Sequence, residues 1–209
     1  MTYITTSSAI IEDIKGNSSS GSAHVAFFFF DFKDTRKQDA RALLSSLILQ
    51  LSSRTQPFYR ILFDFYSAHK PGLQQPGIGA LTKCLEDMIK ASGDTPIYLI
   101  LDALDECPNT KGMPSSRDQV LNLVEKLVTL SVPRFHLCIT SRPEIDIRSS
   151  LEPLIPPCNR ISLHDQCGQK KDIAKFVRGV VYSDKNMRRW RDEDKELVIE
   201  MLSDKADGM

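Results

Sequence analysis

Three carboxylates stand at the end of an apolar run: Ile97-Tyr98-Leu99-Ile100-Leu101 closes on Asp102, and Asp105 and Glu106 follow after Ala103 and Leu104. A run of this length reads as a buried strand, and carboxylates at the carboxyl end of such a strand are costly to desolvate unless something pairs with them. A hydrated Mg²⁺ is a natural partner, because it takes one or two carboxylates together with phosphate oxygens and keeps several waters. In that chemistry Asp102 is the metal-side carboxylate, direct or through water, and Glu106, with Asp105 beside it, is the candidate for orienting or deprotonating an attacking water. The bland alternative for Asp102 alone is loop capping at a strand end. A second segment, Ile139-Thr140-Ser141-Arg142-Pro143-Glu144, closes the next apolar run. The planar fork of Arg142 suits phosphate recognition, and an arginine in such a place also serves as a surface ion-pair partner.

Other groupings carry less. Cys158, His164 and Cys167 lack a paired Cys-x-x-Cys spacing and a fourth ligand, so loop and core roles are preferred to zinc. His136 and Cys138 share a strand face but have no third orienting group, which favours packing over a catalytic dyad. Lys185, Arg188, Arg189 and Arg191 around Trp190 are neutralised at once by Asp192, Glu193 and Asp194, and read as a solvated helix entry.

The elements that must hold these residues alternate. Helical spacing of apolar residues covers Ser7 to Lys15, Asp39 to Leu51, Pro57 to Ala68, Ile78 to Ala91, Arg117 to Leu130, Glu144 to Leu151, Gln169 to Val181 and Asp192 to Ser203. Strand-length apolar runs cover His24 to Phe30, Pro96 to Leu101 and Phe135 to Thr140, with a short fourth strand expected over Arg160 to Leu163. Asn17 to Ser22 is loop chemistry, as is the stretch holding Pro108, Gly112 and Pro114. Strands alternating with helices imply crossover connections and a parallel sheet covered on both faces, with function at the carboxyl ends of the strands.

Composition is that of an ordinary globular chain: 41% hydrophobic and 26% charged over 209 residues. Lys+Arg and Asp+Glu number 27 each, so no net field draws in nucleic acid or an anionic membrane surface. No apolar run approaches the roughly 20 residues that span a bilayer, and no leader pattern opens the sequence. A cytoplasmic protein with its five cysteines reduced is expected. It is read as a single domain over 1–209, with a core at about 7–182 and a following helical region opening at 183–209.

Leu101-Asp102-Ala103-Leu104-Asp105-Glu106-Cys107 resembles the acidic (Walker B) motif of NACHT and nephrocystin-like N-terminal P-loop NTPase domains, the STAND class found in fungal NLR-like proteins. Thr140 to Glu144 is similar to that family's sensor segment. The run Phe27 to Phe32, with the helix Asp39 to Leu51 behind it, resembles the strand and helix that follow the phosphate loop. The resemblance implies an α/β three-layer sandwich with a mainly parallel P-loop NTPase-type sheet, Mg²⁺ with ATP or GTP as cofactor, Asp102 on the metal, and Arg142 and Thr140 beside the γ-phosphate. It implies a signalling switch that self-associates or contacts other protein domains, with no specific nucleic acid and no membrane. One departure stands out: the sequence contains no Gly-x-x-x-x-Gly-Lys-[Ser/Thr], whose backbone N–H groups and lysine hold the phosphates. The family's phosphate loop and first strand would lie just before Ser7, with that strand inside the sheet beside the sensor strand. Nucleotide binding by these 209 residues is therefore expected to be weak or nil. The rival expectations are a non-hydrolysing protein-interaction module that keeps the fold and has lost nucleotide binding, and a metal-dependent phosphohydrolase using Asp102, Asp105 and Glu106, for which further ligands are wanting.

Overall fold

The computed structural model describes residues 6–17, 23–69, 75–109, 114–162 and 167–205. These fall into two compact units, Met1–Leu154 and Ile155–Met209. The first holds a parallel sheet of β1 (His24–Phe29), β2 (Ile97–Asp102) and β3 (Phe135–Ile139) in the order β1-β2-β3. With it go six helices: α1 (Thr6–Asn17), α2 (Ala40–Ser52), α3 (Gln56–Ala68), α4 (Ile78–Lys90), α5 (Ser116–Thr129) and α6 (Ile145–Leu151). The class is α/β, as the alternation implied.

Register sorts the side chains onto two faces. Val25 pairs with Tyr98, Phe27 with Ile100 and Phe29 with Asp102, while Tyr98 and Ile100 pair onward with His136 and Cys138. Since side chains alternate along a strand, these residues share one face. On that face Ile11 and Ile14 of α1 pack against Val25, Phe27, Phe29, Ile100 and Cys138. The opposite face, with Ala26, Phe28, Ile97, Leu99 and Leu101, is buried as well, so the sheet lies between two layers. Beside it α2 buries Leu43, Leu44, Leu47, Ile48 and Leu51, and α3, α4 and α5 pack on α2. Each fully buried leucine contributes about 1.5–3 kcal/mol relative to its exposed state.

Helix starts follow local chemistry. The Asp39 carboxylate accepts from the Ala42 N–H at 2.7 Å, Thr55 caps α3, and Ser115 and Asp118 form a reciprocal capping box on α5. The outer edge of β1 is closed by side chains of α2 and of the turn just after it. The Gln50 amide takes the Phe27 N–H at 3.1 Å and donates to the Phe27 carbonyl at 2.8 Å, while Arg54 donates to the Val25 carbonyl at 3.3 Å.

The second unit contains α7 (Cys167–Ser183) and α8 (Asp192–Lys205). A bidentate pair joins them, Arg178 to Glu196 at 2.8 and 2.6 Å, and the Tyr182 hydroxyl donates to Glu196 at 3.0 Å. The basic residues before α8 form an exposed 3₁₀ turn, Asn186–Arg189, in keeping with a solvated helix entry.

The fourth strand is a correction. Residues 160–162 have no ladder, and Leu163 lies outside the described residues. Arg160 turns back on the preceding segment, its N–H donating to the Pro157 carbonyl at 3.2 Å and its guanidinium to the Ile155 carbonyl, and Ile161 is exposed. A strand needs a neighbour to pair with, and the strand expected between it and β3 is not among the described residues. His164, the side chain of Cys167, Gly112 and most of the loop after α1 also fall outside them.

Candidate functional site

Asp102 ends β2 on the face that α1 covers. Its Oδ1 accepts the Thr140 hydroxyl at 2.6 Å from just beyond β3, and the Ser7 hydroxyl from the first turn of α1. Ser7 is fully buried. Among the described residues Oδ2 has no hydrogen-bond partner. Thr140 also holds the turn that follows: its Oγ1 accepts from the Ala103 N–H at 3.0 Å and its carbonyl from the Leu104 N–H at 3.0 Å. Ala103 itself sits in the left-handed region at φ 55°, ψ 50°, a conformation costing a residue with a Cβ about 1–2 kcal/mol.

A 3₁₀ turn over Leu104–Glu106 then sends the other two carboxylates elsewhere. Asp105 meets the segment that follows β3: its Oδ1 accepts from the Arg142 N–H at 3.0 Å, and its Oδ2 lies 3.4 Å from the Arg142 Nε. The Arg142 side chain is 78% exposed whereas that of Asp105 is 10% exposed, so the pair sits at the surface with its acid tucked under. Glu106 turns toward the end of β1, where its Oε2 accepts from the Phe32 N–H at 3.1 Å. The five expected site residues thus gather as Asp102 with Thr140, Asp105 with Arg142, and Glu106 against Phe32.

Two participants escaped the sequence reading. Ser7 lies in a run of four hydroxyl residues, Thr5 to Ser8, with nothing to single it out. Arg117 is only 5% exposed and spends its guanidinium on this loop. Its Nε donates to the Cys107 carbonyl at 2.8 Å and its Nη2 to the Asp105 carbonyl at 2.5 Å. Its Nη1 serves Glu144 at 2.5 Å and Asp146 at 3.0 Å. Burial disfavours the charged guanidinium, but Glu144 and Asp146 outweigh that and hold its pKa above the ordinary arginine value. One signal existed: a cation in the first turn of a helix opposes the helix dipole, so Arg117 is there for something other than α5.

The thiols nearby are protonated and packed. Burial pushes Cys107 up to about 11, against the lowering field of Arg117, and its Sγ donates to the Gln38 carbonyl at 3.2 Å. Burial likewise raises Cys138, with the Asp102 charge adding to it. His136 is exposed and stacks on Tyr98, with ring centroids 4.7 Å apart. That supports packing over a dyad.

A model of the nephrocystin 3 N-terminal family matches residues 4–142, about two thirds of the chain. The chain belongs to that family. No curated protein and no solved structure matches it. The nephrocystin-type region lies within the first unit and takes in Ser7, the turn from Asp102 to Glu106, Thr140 and Arg142. Among the described residues no helix is long and apolar enough to cross a membrane. Nor does any group of three or more His, Cys, Asp or Glu side chains among them stand ready to hold a metal ion alone. The set around Asp102, one carboxylate and two hydroxyls, is all hard oxygen, which fits Mg²⁺ completed by water and phosphate oxygens.

Proposed function

We propose that this nephrocystin-type domain is a nucleotide switch of the NACHT and STAND kind in a signal-transducing protein, with Asp102 as its Mg²⁺-side carboxylate. The observation that carries this reading is the convergence of Ser7, Asp102 and Thr140 from three elements on one point at the carboxyl end of the central strand, with Asp102 Oδ2 open among the described residues. In this reading Arg142 swings from Asp105 to meet phosphate, Thr140 lies beside it, and Glu106 takes the proton of the attacking water, with Asp105 as its alternate. ATP and GTP both fit this chemistry. Protein domains, including further copies of the chain, are the partners of such a switch.

A second reading, a non-hydrolysing protein-interaction module that has lost nucleotide binding, draws on a specific observation. Asp102 Oδ1 already accepts two hydroxyls and Arg142 already pairs with Asp105, so these contacts form without a ligand.

The test is calorimetric titration with Mg²⁺-ATP and Mg²⁺-GTP of the chain extended ahead of α1 by a strand and a Gly-x-x-x-x-Gly-Lys-Ser loop. The switch reading expects a dissociation constant on the order of 1 μM, about −8 kcal/mol, that Asp102→Ala weakens at least tenfold. Glu106→Gln should bind normally and hydrolyse about 10²–10⁴ times more slowly. An extended chain that binds neither nucleotide decides for the interaction module, and one that binds equally well after Asp102→Ala removes Asp102 from the metal.

A further inference from the structure

Two arginines grip the turn after β2, and they differ in kind. Arg142 holds the Asp105 side chain from the surface, with its guanidinium mostly in water. Arg117 holds the main chain from within: two of its nitrogens are spent on the carbonyls of Asp105 and Cys107, which flank Glu106. Its third nitrogen reaches Glu144 and Asp146, at the start of α6 and two and four residues beyond Arg142. Helix α5 supplies no local reason for the placement, since its first turn disfavours a cation. Burying a guanidinium is also costly unless its donors are met. A planar fork can serve two carbonyls and two carboxylates at once, which a lysine ammonium cannot.

We propose that Arg117 is the positioning residue of this site, tying the Asp105–Cys107 main chain to the Arg142–Asp146 segment so that Glu106 and Asp105 keep their places when Arg142 lets go. It acts through the backbone and touches no ligand. Its importance to function rests on the switch reading, whereas the tie itself does not.

Amide hydrogen exchange on the chain, followed by NMR without nucleotide or Mg²⁺, tests it. The Phe32 N–H reports on Glu106, the Arg142 N–H on Asp105, and the Leu99 N–H in mid-β2 on the fold as a whole. In Arg117→Lys the first two should exchange about tenfold faster or more, with Leu99 unchanged. Unchanged Phe32 and Arg142 amides would overturn the proposal. A common acceleration of all three would do so too, because it marks a residue that only stabilises the fold. Glu144→Gln with Asp146→Asn is a milder companion that removes the negative charges facing Nη1, Asp146 being shared with the Asn109 amide. It should loosen Arg142 and leave Phe32 as it was, and loosening both or neither counts against the assignment. Because no nucleotide enters, a failed titration in the preceding test leaves this result standing, and a negative exchange result leaves that test open.

Discussion

The two edges of the sheet are built differently. At β1 the Phe27 N–H and carbonyl and the Val25 carbonyl, which face away from β2, are met by Gln50 of α2 and by Arg54 just beyond it, in place of a neighbouring strand. At β3 the ladder to β2 uses the Arg134 carbonyl and the Thr140 N–H, so by alternation Leu137 and Ile139 aim their backbone groups the other way. Among the described residues nothing pairs with them. The side chains follow suit: β2 is buried along nearly its whole length, while β3 is half-buried with His136 exposed. The site lies toward the open half, on the turns that follow β2 and β3. A sealed edge anchors the sheet, and the less supported strand carries Thr140 and Arg142.

The largest contrast should come from a pair of register partners. Leu99 of β2 and Leu137 of β3 lie opposite one another, the first fully buried and the second only partly. Leu99→Ala should cost about 2–5 kcal/mol in urea unfolding, and Leu137→Ala about 1 kcal/mol. Equal costs would mean that the β3 edge is covered in solution, and would break the comparison.

Next comes the pH dependence of the packed thiols. Cys107 ionises near 9 when unfolded but at about 11 when folded. The folded chain therefore holds that proton more tightly, and the associated stability is fully present below pH 9 and lost as pH rises toward about 11. Two pH units correspond to about 2–3 kcal/mol. Urea melts at pH 8 and pH 11 should show that loss, and Cys107→Ala should shrink it. Cys138, on the open half, should react with iodoacetamide before Cys107 does, and the reverse order would put the seal on the wrong edge.

Gln50→Ala tests the seal itself. It strands a donor and an acceptor on Phe27, for about 1–3 kcal/mol. It also gives β1 the exposed edge that favours strand pairing between molecules. Light scattering should rise alongside the drop in stability, and a variant that stays monomeric with unchanged stability would show that the Gln50 amide is dispensable.

The same contrast marks how far the sequence could be read. Strands β1 to β3 and all eight helices were legible because periodicity and capping residues are local, and ends moved by only a residue or two where Asp39, Thr55 and Ser115 set the caps. The strand expected at Arg160 to Leu163 was not, because a strand is a fact about its neighbour. The site divides in the same way. A strand ending in Asp102 and another ending near Thr140 could be foreseen as close. That Ser7 reaches across 95 positions to the same oxygen, or that Arg117 holds the turn from beneath, depends on where helices land in three dimensions. The pairing of Asp105 with Arg142 falls between: both were candidate site residues, and their mutual attraction follows from the parallel register of β2 and β3.

Ala103 has a consequence for which substitutions the acidic turn tolerates. Its left-handed backbone is what lets the chain leave Asp102, bond twice to Thr140 and still turn Asp105 and Glu106 in opposite directions. The requirement at this position is one of shape rather than reactivity. Glycine should be accepted with a gain, asparagine with little change, and valine, isoleucine or threonine rejected, even though the Ala103 side chain carries no polar group. In a saturation library selected only for folding, position 103 should therefore discriminate sharply among residues.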